Sequence, residues 1–175
     1  MRKLLRKFGL NKNGMAAVEF AFIAPVMLTL FFGTVELCNA LICQQKVTSV
    51  ASTAADLVAQ DSAISDTQLD DVFAALDSII YPYSTTGATI IITSIVLDSN
   101  GNPVVAWSKA QNGTAYSAGT AMPVPSGLIT PGGSVIYAEI RYTYDSPLSH
   151  FITNPIVMTD SFYSRPRKSL EVAKI

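Results

Sequence analysis

Apolar residues run almost unbroken from Met15 to Leu37 (MAAVEFAFIAPVMLTLFFGTVEL), and only Glu19 and Glu36 interrupt them with charge. As a helix, this run of 23 residues extends about 35 Å, enough to cross a hydrocarbon layer of about 30 Å. Beyond it the apolar positions narrow to one stripe, Val47, Val50, Ala51, Ala54 and Val58, with polar residues between them. That spacing is the signature of an amphipathic helix. One helix is therefore expected from Met15 to about Gln60, apolar all round in its first half and one-faced in its second. Ser65-Asp66-Thr67-Gln68 is a capping-box pattern, and Leu69, Val72, Phe73, Leu76 and Ile80 form a second helical stripe that stops before Pro82.

From Thr86 the period changes. Ala88–Leu97 (ATIIITSIVL) is β-branched and apolar on both faces, as suits a well-covered strand. The turn formers Asp98 to Asn102 lead into Pro103–Lys109, so the pair reads as a hairpin. Residues 111–133 hold five Gly and three Pro and read as a long surface loop. Ser134–Tyr144 alternates, with Ile136, Ala138, Ile140, Tyr142 and Tyr144 on one face and Val135, Tyr137, Glu139, Arg141 and Thr143 on the other. A closing strand is expected near Met158–Arg165, then a frayed basic tail. The fold class is α+β: a long amino-terminal helix and a short second helix packed on a small antiparallel sheet.

Charge changes the picture. Arg2, Lys3, Arg6, Lys7 and Lys12 precede Gly14 with no acidic residue among them, whereas from Met15 onward seven basic residues face thirteen acidic ones. A basic arm ahead of an apolar run predicts a chain fed once into a membrane with its amino end inside. The acidic body argues against nucleic acid as a partner. Charged residues are only 14 % of the chain, and mean hydropathy is +0.34.

Glu19 is the anomaly, because a carboxylate in hydrocarbon costs several kcal/mol unless it is paired. A secretory signal would have a shorter apolar core than this one, and a plain single-pass anchor leaves Glu19 as an unexplained cost. Cleavage after Gly14 explains it. Met15 would then carry a new amine one helical turn from Glu19, which can pair within the chain or with a neighbouring helix. A buried ion pair of this kind enforces register rather than adding stability.

The basic leader, Gly14, the following MAAVEF ending in Glu19 and Phe20, and the apolar helix with Pro25 and Glu36 resemble the TadE-like pseudopilins of Tad (Flp) tight-adherence pili. These are minor pilins within the type IV pilin superfamily, and the likeness is specific mainly over residues 12–37. Many type IV pilins begin their mature chain with Phe, where this chain would have Met15. The resemblance implies a leader over 1–14, a transmembrane assembly helix over 15–42 and a pilin-like periplasmic head over 43–175. It also implies processing between Gly14 and Met15 by a prepilin peptidase, charge pairing at Glu19 beside Phe20, and assembly with other minor pseudopilins. The major pilin, the inner-membrane pilus platform and membrane lipid are further implied partners. Pro25 removes one backbone hydrogen bond, so a kink or local melt is expected there. Glu36 is expected at the outer membrane boundary, solvated by water. The alternative is a membrane-anchored periplasmic binding or sensor protein.

Catalytic chemistry is not expected, nor is a cofactor or metal. His150 and Ser149 are neighbours in sequence, which does not make a nucleophile–base pair. Asp66, Asp70 and Asp71 complement the start of a helix. The Asp98–Asn102 turn lacks the twelfth-position Glu of a calcium loop, that position being Lys109. Cys38 and Cys43 lie about 140° apart around a helix, too far round to bridge each other, which leaves two small apolar residues or an intermolecular bridge. The loop near Tyr116 is the first candidate for a partner-facing surface.

Overall fold

The computed structural model of the chain describes residues 14–146 and 155–175. The basic arm before Gly14, together with Ser149 and His150, lies outside the described residues. The chain divides at Asn39 into two units, and helix α1 (Met15–Ala59) contributes to both.

In the first unit α1 exposes its apolar side chains, with Phe20 66 % and Phe22 77 % accessible. The helix is unbroken at Pro25, so the local melt expected there does not occur. Proline removes only one bond of the helical ladder, and an apolar surrounding offers the other backbone groups no alternative to helix. The Thr29 hydroxyl donates to the Pro25 carbonyl, and Thr34 to Leu30, each at 2.8 Å. Glu36 is not open to water as expected: it is 2 % exposed. It is in helical phase with Ala40, Cys43 and Val47, so its position on α1 continues the apolar stripe rather than the polar face.

The second unit is built on the stripe read from the sequence, for Val47, Val50, Ala51, Ala54 and Val58 are all buried. Full burial of each valine stabilises by roughly 1.5–3 kcal/mol. Helix α2 (Asp66–Ile80) starts at the Ser65 capping box and buries Leu69, Phe73, Leu76 and Ile80. Strands β2 (Ala88–Leu97), β3 (Pro103–Gln111), β4 (Ser134–Tyr144) and β5 (Ile156–Ser164) form an antiparallel sheet in the order β3-β2-β4-β5. The core lies between this sheet and the two helices. Lys46 Nζ donates to the Ile79 carbonyl at 2.9 Å, tying α1 to α2.

Two features were not expected. The first is a β-bulge: Ser94 pairs with Trp107 but Ile95 pairs with Val105, leaving Ala106 without a partner. The extra residue lets Trp107 enter the helix-side core while Val105 faces the other way with Ile95 and Val135. The second is the tail, which is paired rather than frayed. Strand β6 (Ala173–Lys174) runs parallel to β1 (Ala63–Ile64), directly after α1. Val172 is buried, its carbonyl accepts from Trp107 Nε1 at 2.8 Å, and Arg167 forms an ion pair with Asp56. An apolar residue flanked by cations had a buried site and carboxylates waiting for it, which sequence distance concealed.

Candidate functional site

Two regions concentrate chemistry, one in each unit. In the first, Gly14 immediately precedes α1, and Met15, Glu19 and Phe20 lie in its first two turns. Met15, Glu19 and Phe20 are exposed, and helix geometry puts positions 15 and 19 on nearly the same face. Residues 15–59 contain the one helix, among the described residues, long and apolar enough to cross a membrane. Its most apolar 18-residue window has mean hydropathy 2.0 and is not buried. This helix is a candidate membrane anchor.

In the second unit, the sheet face away from the helices carries Tyr137, Glu139 and Arg141 of β4, Thr89 of β2, and Thr159 and Ser161 of β5, as strand alternation and register require. Residues 112–133 reach this face. Asn112 adopts a left-handed φ of 54° and is fixed there by its side-chain amide, which donates to the Ala88 carbonyl at 3.0 Å. Gly113 passes so close to Thr89 that a Cβ would lie 2.5 Å from Thr89 Cγ2. Farther along, Val105 N–H donates to the Thr120 carbonyl at 2.9 Å, and Val104 bridges Ala121. The expected loop thus partly covers the free edge of β3.

Tyr116, in this connection, turns toward the sheet face. It is half-buried, and its hydroxyl donates to Glu139 Oε1 at 2.8 Å while Tyr137 donates to Oε2 at 2.9 Å. That hydrogen bond pushes the Tyr116 hydroxyl above its ordinary pKa. Burial, then the same carboxylate, does so for Tyr137. The Tyr137 and Tyr163 rings stand 4.8 Å apart. A cleft of about 760 Å³ opens beside this cluster, lined by Tyr116, Glu139, Arg141 and hydroxyl-bearing neighbours. The sequence placed Tyr137, Glu139 and Arg141 on one face, but nothing local to Tyr116 signalled that it would meet them.

The acidic group at the start of α2 does more than complement the helix. Lys109 Nζ lies 2.6 Å from Asp70 and 3.4 Å from Asp66, and Lys174 lies 3.0 Å from Asp66. The Asp98 turn is held by its own carboxylate, which accepts from the Asn100 and Asn102 amides at 2.8 Å, with Gly101 at a φ of +81° that favours glycine. Cys43 is buried and its thiol is pushed up to about 11, chiefly by burial.

The protein family described as TadE-like protein matches residues 14–56. Its first matched residue is Gly14, and its last falls inside α1, so the sheet lies outside the match. No curated protein and no solved structure matches the chain. Over the residues that build its long amino-terminal helix, this chain is similar to TadE-like proteins.

Proposed function

We propose that this chain is a minor pseudopilin of a Tad-type pilus, cleaved after Gly14 by a prepilin peptidase, and that it helps initiate or cap an adhesive filament. The observation that carries the reading is where the TadE-like match begins, at Gly14. Cleavage there turns Met15 into an amine one turn from Glu19. Before assembly, α1 holds the subunit in the inner membrane, with its amino end cytoplasmic and its head periplasmic. During assembly the exposed apolar face of α1, with Phe20 among its side chains, leaves lipid for the helices of other minor pseudopilins and the major pilin. The Glu19 carboxylate meets the Met15 amine of its own or a neighbouring helix. A subunit slipped along its neighbour leaves both charges unpaired in an apolar medium, which is why the pair selects one register.

In this scheme the chain is a substrate and a building block rather than an enzyme. Filament extrusion is work done by the pilus platform in the inner membrane. The test separates the two steps. Gly14→Ala is expected to leave the leader attached, whereas Glu19→Ala is expected to be cleaved normally and to abolish pili counted by electron microscopy. Normal piliation by Glu19→Ala would contradict the pairing role.

A further inference from the structure

We infer that the cleft on the helix-free face of the sheet is a binding site for a saccharide. It lies wholly in the second unit, and its residues fall outside the TadE-like match, so the inference does not depend on how the amino terminus is processed.

The cleft volume, about 760 Å³, falls in the range of small-molecule sites, roughly 300–1,000 Å³. Its floor is sheet and therefore rigid. Glu139 is fixed before any ligand arrives, because each carboxylate oxygen already holds one tyrosine hydroxyl. Each oxygen keeps a further lone pair for an incoming donor. Arg141 is exposed on the same face, two positions along β4 and so about 7 Å away. An acceptor and a donor set thus stand apart by about the width of a sugar ring with its hydroxyls. Thr89, Thr159 and Ser161 add hydroxyls that donate or accept, and the Tyr116 ring supplies a wall against which the C–H face of a sugar packs.

Other ligand classes fit less well. The lining is too polar for a lipid chain. An anion would meet Arg141 but also the carboxylates of Glu139 and Asp160. A lone cation would meet Arg141, and among the described residues no group of three or more metal-ligating side chains gathers. An α-amino acid carries its two charges too close together to span from Glu139 to Arg141. A neutral polyol uses the groups present: it donates to the carboxylate and accepts from the guanidinium, with no charge of its own to be opposed.

The experiment uses the full chain in phosphatidylcholine nanodiscs on an array of neutral, sialylated and sulfated oligosaccharides. The wild type is expected to retain at least one neutral glycan, and Arg141→Gln and Tyr116→Ala to lower its capture about tenfold or more. The exposed Lys168→Gln, on the tail, is expected to leave capture unchanged. Arg141 is exposed, so its variant tests the site without threatening the fold. Failure of the wild type to retain any neutral glycan, or retention of anionic glycans alone, would overturn the inference. So would full capture by Arg141→Gln, whatever Tyr116→Ala does.

Discussion

The hydroxyl of Tyr116 donates to Glu139 Oε1 at 2.8 Å, so a single carboxylate on β4 holds a residue of the long 112–133 connection against the sheet. Tyr116→Phe keeps the ring and removes that tie. Amide exchange over residues 113–122 is expected to accelerate while the helices stay protected. The global loss is about 1 kcal/mol, since the bond is partly solvated. Unchanged exchange in this segment would show that edge pairing with β3 alone holds it.

The carboxyl-terminal tail is structural. Removing residues 170–175 takes away Val172, which is 2 % exposed, and the carbonyl that accepts from Trp107 Nε1. The expected cost is about 2–4 kcal/mol, from lost burial and an orphaned indole N–H. Trp107 is the only tryptophan, so its emission reports the change directly and should shift to the red. A truncated chain with wild-type emission and melting would contradict this role.

Asp66 gives the fold an acid-sensitive contact. The hydrogen bond from Lys174 first, and then the contact with Lys109, hold its carboxyl below its ordinary value. A group depressed in the folded state stabilises the fold above its unfolded pKa, about 3.9, and that contribution disappears as pH falls through the folded value. Asp66→Asn should therefore flatten the decline of the urea midpoint as pH falls below about 4, leaving the midpoint nearly pH-independent at neutrality. An acid limb identical to that of the wild type would contradict the assignment. The effect should be small and should shrink with added salt, since the pairs are exposed.

Cys43 is buried and its thiol is raised to about 11, so at pH 8 it is neutral and inaccessible. Alkylation of Cys43 by iodoacetamide is expected only after unfolding. Modification of the native protein at the rate of a free thiol would show that this part of α1 opens.

What could be read in the sequence was local. The Val47 to Val58 stripe, the Ser65–Gln68 cap and the alternation of Ser134–Tyr144 each encode an element within a few residues, and the structure places all three as read. The contacts that close the second unit are distant. Trp107 meets Val172, Lys109 meets Asp66 and Asp70, and Tyr116 meets Glu139, and no periodicity announces such pairs. Ala106 shows the same limit on a smaller scale. One extra residue moves Val105 to the opposite face, which strict alternation cannot anticipate. Read from its own residues the tail is a basic, frayed end, yet Asp56 pairs with Arg167, Asp61 with Lys168 and Asp66 with Lys174.

The amino terminus of the mature chain decides the central proposal. Intact-mass measurement of the protein purified from its native membrane is expected to show a chain beginning at Met15, without the fourteen residues that precede it. A mass that retains Met1 and the basic arm would mean that no amine ever forms beside Glu19, and that the pilus reading is wrong.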